Sequence, residues 1–170
     1  MANTDTVNLD YDPDSLTGPF DVKEAREFEK WWLTHEYPFR LDESYLRHLS
    51  RYHGGKPGRK CFRTGSGRER VVERFLNFVK DYKKGKWGEY HVEVVRGLIE
   101  DRLGDNLLPF AVLFAGDMLC FDYSKGGRPA VVVWMHEESA AADAPVSEPV
   151  APDFDQFLLL LHPCETDEPC

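Results

Sequence analysis

The stretch Leu108-Pro109-Phe110-Ala111-Val112-Leu113-Phe114-Ala115-Gly116-Asp117-Met118-Leu119-Cys120-Phe121-Asp122-Tyr123, followed by Arg128-Pro129-Ala130-Val131-Val132-Val133-Trp134-Met135-His136-Glu137, decides the fold. Its β-branched and aromatic residues are interrupted at Gly116 and again at Ser124-Lys125-Gly126-Gly127, which predicts three closely spaced strands of one antiparallel sheet. Pro109 sets an extended entry to the first strand, where its missing amide hydrogen is tolerated. Gly116 permits a tight turn or bulge into the next, Asp117 caps that turn through its side chain, and Trp134 belongs to the core. No catalytic spacing lies inside the stretch. A well-specified sheet without an active site points to a protein that binds another protein.

Outward from the sheet, helical signals dominate. Asp21 can accept orphan amide hydrogens while Glu24 reaches back toward it, opening a first helix whose Ala25, Phe28, Trp32 and His35 share one face. A second helix runs from about Asp42 to Tyr52 and closes at Gly54-Gly55. Cys61–Thr64 and Arg68–Val72 flank Gly65-Ser66-Gly67 as a hairpin; the pattern of Val71–Val79 fits either strand or helix, with strand the favoured reading. From Glu89 to Leu103, Val92, Val95, Ile99 and Leu103 mark a third helix ended by Gly104, and Pro152-Asp153 opens a last one carrying Phe154, Phe157, Leu158 and Leu161. The expected organisation is a flexible leader over 1–18, a single domain over 19–162 with a flexible connection at 138–151, and a disordered tail over 163–170.

The chain has 170 residues, 42% of them apolar, enough for one core without disulfides or metal. No apolar run is long enough to span a membrane and the polar, acidic start lacks a secretory pattern, so the expected location is the cytosol, with free thiols at Cys61, Cys120, Cys164 and Cys170. Residues 46–88 hold thirteen Lys and Arg against three Asp and Glu, a balance of +10, so the rest of the chain carries −19 of the net −9. The basic segment reads as solvated surface. A sequence pI near 5.1 disfavours direct nucleic-acid binding, while the acidic remainder suits a basic protein partner.

Catalytic and metal readings fail on the same residues. Cys120, Asp122 and His136 could imitate a nucleophile, acid and base, but Cys120 lies mid-strand between Leu119 and Phe121. Gly65-Ser66-Gly67 lacks nucleophile-elbow spacing, and no Lys-Ser or Lys-Thr follows Gly54–Gly58 at phosphate-loop spacing. His35-Glu36, His48 with His53, and His136-Glu137 are pairs without a third ligand. No enzyme, cofactor or metal site is expected.

Arg51-Tyr52-His53-Gly54-Gly55, Leu108-Pro109-Phe110, Gly116-Asp117-Met118-Leu119-Cys120-Phe121-Asp122, Trp134-Met135-His136-Glu137 and Asp153-Phe154-Asp155-Gln156-Phe157-Leu158, in that order, resemble the pattern of the SUKH superfamily over about residues 42–161. That superfamily groups immunity proteins of bacterial polymorphic toxin systems with fungal regulators of cell-wall assembly. Two departures are His53, where an asparagine is familiar, and the long segment 138–151. The resemblance implies an α+β fold, a central mainly antiparallel sheet flanked by helices, and an immunity protein that neutralises a cognate toxin by stoichiometric occlusion. The expected toxin is basic and could act on nucleic acid; the alternative is a regulatory protein-binding scaffold with no toxin. Asp117, Asp122, Tyr123, Glu137 and Glu138 are the candidate toxin-binding residues, Tyr being a favoured interface anchor.

Overall fold

Period-2 alternation along the central strands sorts their side chains onto two faces of one sheet. The structure, a computed structural model, describes residues 7–165. Strands β1 (Cys61–Arg63), β2 (Glu69–Phe75), β3 (Leu107–Leu113), β4 (Met118–Asp122), β5 (Ala130–Trp134) and β6 (Ser147–Ala151) lie in chain order, each antiparallel to its neighbour. Helices α1 (Val22–Thr34), α2 (Glu43–Arg51), α3 (Val92–Leu103), α4 (His136–Ala142) and α5 (Phe154–Leu160) complete the α+β fold.

Leu108, Phe110, Leu119, Phe121, Val131 and Val133 enter the larger core with residues of α1, α2 and α5. Their intervening neighbours Leu107, Cys120, Val132 and Trp134 pack on Ile99 and Leu103 of α3. Pro109 lies inside β3, beside a register shift, where a bulge accommodates its missing donor. The helix starts follow local chemistry. Asp21 accepts from the Lys23 amide, Asp153 accepts from the Gln156 amide, and His91 Nδ1 accepts from the Glu93 amide.

The sheet curls until its ends meet, giving a nearly closed barrel. The Gly65 amide donates to the Pro149 carbonyl at 3.1 Å, and the Thr64 and Ser66 hydroxyls bind the Glu148 carboxylate. Those hydroxyls hold the Glu148 carboxyl below its ordinary pKa. On the same side Cys61 and His162 exchange backbone hydrogen bonds at 3.0 and 2.9 Å.

Three expectations change. Residues 138–151, expected as a flexible connection, hold most of α4 and all of β6. The alanines favour helix; the Ser139 hydroxyl accepts from the Val146 amide, and pairing with β5 makes Ser147–Ala151 a strand despite its loop-like composition. The leader is packed from residue 7: Leu9 is fully buried, and Tyr11 stacks on Tyr52 and shares a 2.7 Å hydrogen bond with His48. A Cβ on Gly58 would lie 2.7 Å from the Asp10 carbonyl oxygen, so this close approach needs glycine. Residues 1–6 fall outside the described part. In the tail, Cys164 forms a disulfide with Cys61 across a Cα separation of 5.3 Å, so two of the four expected free thiols are bonded. Cys120 is free and buried; residues 166–170, with Cys170, are outside the described part.

Closing a loop with a sequence separation of 103 residues is expected to stabilise by up to about 4–5 kcal/mol. Cys164→Ser should therefore lower the denaturation midpoint, and unreduced, unfolded wild type should titrate fewer thiols than the reduced chain. Equal thiol counts would exclude the bond.

Burial pushes the pKa of His48 down to about 4, with Arg51 adding to it, and that of His91 to about 4. The unfolded chain takes up these protons near pH 6.5, so stability falls as pH falls from about 6.5 to about 4, by roughly 2–3 kcal/mol per ring. His91→Asn keeps an acceptor for the Glu93 amide and should flatten this acid limb in urea unfolding. A limb as steep as wild type would rule out titration of His91.

Candidate functional site

The register separates the five sequence-derived site residues. Met118 pairs with Trp134 at one end of β4 and Asp122 with Ala130 at the other. Asp117, Glu137 and Glu138 therefore share one end, and Asp122 and Tyr123 the other. Tyr123 is only 6% exposed and its hydroxyl donates to the Arg40 carbonyl at 2.8 Å, so it belongs to the core rather than to a contact surface. Asp122 accepts from the Ser124 amide at 2.9 Å and shapes the β4–β5 turn. Beside it Arg128 binds Asp42 at 3.0 Å, Asp155 at 2.7 Å and Asp153 at 3.3 Å, latching that turn to the starts of α2 and α5.

At the opposite end Asp117 is a structural clamp. One carboxylate oxygen accepts from the His136 amide at 2.8 Å, and the other pairs with the buried Arg70 guanidinium. It joins β2 to the turn before β4 and to the first turn of α4. Glu137 and Glu138, in that first turn, are exposed.

The surroundings of α4 supply residues that sequence reasoning missed. Arg102 Nη1 lies 3.2 Å from His136 Nδ1, the Trp134 indole donates to the Arg102 carbonyl at 3.2 Å, and Gly104 meets Pro145. The C-terminal turn of α3 and helix α4 thus form one face. On it Asp101, Asp105, Glu137, Glu138 and Asp143 are exposed, and Arg102, 3.5 Å from Asp101, carries countercharge; Glu100, 3.6 Å from Arg96, lies on the other flank of α3. At its border the short 3-10 turn Phe114–Gly116 leaves Phe114 65% exposed. Ala115 and Gly116 both adopt left-handed backbone, with φ of 73° and 87°. The signal for the acids was present in the sequence as charge at helical spacing; Phe114 gave none, because Val112-Leu113-Phe114 continues the strand pattern.

Chemistry at the other candidates is limited. Burial, with a smaller effect of the Asp122 charge, pushes the Cys120 thiol well above its ordinary pKa, the reverse of an activated thiolate. Among the described residues no group of three or more His, Cys, Asp or Glu could hold a metal ion, and no helix is long and apolar enough to cross a membrane. An open groove of about 350 Å³ between residues 13–20 and the end of α2 is lined by Leu16, Phe20, Leu49 and His53; burial lowers the His53 pKa.

The curled antiparallel sheet, flanked by helices, thus carries an acidic face beside α4. A sequence model described as SMI1-KNR4 cell-wall, of the SUKH group, matches residues 34–158, and the chain belongs to this family. The superfamily includes toxin immunity proteins and is known for non-enzymatic immunity and regulatory roles. No curated protein and no solved structure matches the chain.

Asp117→Ala is expected to destabilise the domain by about 3 kcal/mol, because it leaves Arg70 buried without its partner. Glu137→Ala and Glu138→Ala should each change stability by less than about 0.5 kcal/mol. Equal denaturation midpoints for all three variants would show that Asp117 is not a clamp.

Proposed function

We propose that this protein is an immunity protein that binds a cognate toxin domain and occludes it stoichiometrically, without cofactor. Family membership over residues 34–158 carries the reading. The acidic α3–α4 face supports it, since a field of one sign speeds association with a basic partner and penalises wrong ones. A basic effector domain, including one that acts on nucleic acid, has the complementary charge. Glu137 and Glu138 are the proposed rim contacts. Asp122 is retained as a weaker candidate at the far end of β4, while Asp117 acts by holding the face together. A regulatory scaffold is the second reading, favoured by the cell-wall description of the matching family.

Co-expression with the toxin encoded beside the gene, followed by size-exclusion chromatography, tests the proposal. A one-to-one complex and restored growth are expected. In that complex Glu137→Lys with Glu138→Lys should slow association about tenfold at low salt and much less at high salt. No complex and no protection would favour the scaffold.

A further inference from the structure

We infer that Phe114 is the anchor of the partner interface: its ring enters an apolar socket on a basic protein, Leu98 makes a second apolar contact, and the acids of α3 and α4 meet cations around them. This rests on the immunity reading and assigns that reading its central contact. Phe114 is 65% exposed and Leu98 73% exposed, each far from the burial that its side chain favours. Contacts between neighbouring elements lead from one to the other. Leu98 is one helical turn before Arg102, Arg102 touches His136, and the His136 ring lies 4.0 Å from where a Cβ on Gly116 would be.

The backbone beneath Phe114 is built to present the ring. A left-handed alanine carries a conformational cost that persists only when its surroundings over-determine it. Here the Leu113 amide donates to the Asp117 carbonyl at 2.8 Å, closing the turn, while the Asp117 carboxylate is clamped between Arg70 and the His136 amide. An aromatic ring projected from a fixed base loses little freedom on binding, which is the property of strong interface anchors. The occupant follows from the charge around it. Glu137 and Glu138 are exposed in the first turn of α4, whose His136 borders the turn that carries Phe114, so the socket belongs to a basic surface.

Surface plasmon resonance with the catalytically inactivated toxin domain from the co-expression experiment tests this. For Phe114→Ala, dissociation should accelerate about tenfold or more with association within about twofold of wild type, and Phe114→Leu should recover part of the loss. Glu137→Lys with Glu138→Lys should show the opposite split, slowing association. Because Phe114 is outside the core, Phe114→Ala should melt like wild type. Wild-type binding with an unchanged dissociation rate in Phe114→Ala would overturn the anchor and leave the immunity reading standing. Absence of wild-type binding would overturn both.

Discussion

The stacking of Phe110 on Phe121, 4.4 Å between ring centroids across β3 and β4, is the contact on which the rest of the molecule depends. Tyr45 of α2 meets Phe121 edge-on at 5.0 Å, and Phe154 and Phe157 of α5 meet Phe110 edge-on at 5.7 and 5.6 Å. Segments far apart in sequence thereby converge on one pair of rings. A one-residue slip of either strand would present Cys120 or Ala111 instead, so the pair also fixes register. Once register is fixed, the position of every turn at the strand ends is fixed with it, including the turn that carries Phe114.

The two faces of the sheet separate packing from presentation. One face is filled by aromatic residues from α2 and α5 and leaves little surface to spare. The other is covered by α3, whose Ile99 and Leu103 turn inward while Leu98, Glu100 and Asp101 remain outside. Acidic side chains on a helix that a packed apolar layer supports from beneath keep their spacing. The rigid clamp of Asp117 extends this support to α4.

Legibility in the sequence followed the range of the forces involved. The central strands, the Asp21 and Asp153 caps and the Gly104 stop depend on neighbours within a few residues, and each was readable. β6 was not, because Ser147-Glu148-Pro149-Val150-Ala151 becomes a strand only through its pairing with β5. The leader was hidden for the same reason: Leu9 and Tyr11 are isolated apolar residues in a polar segment, and their partners at Gly58 and Tyr52 lie 49 and 41 residues away. In the candidate site, the exposure of Glu137 and Glu138 was legible from charge. The burial of Tyr123 was not, since its hydroxyl is satisfied by a carbonyl from the α1–α2 connection that no local pattern announces.

Closure of the sheet has a consequence for life at high concentration. Open edge strands display unpaired amides and carbonyls and recruit strands from other molecules. Here the hairpin beside β1 is hydrogen-bonded to β6, and Cys61 is paired with His162. The two edges of the meander largely satisfy each other, and Pro149 removes a donor from the outer strand. A protein held at high concentration gains from this arrangement, because the template for fibrillar self-association is largely consumed within the monomer itself.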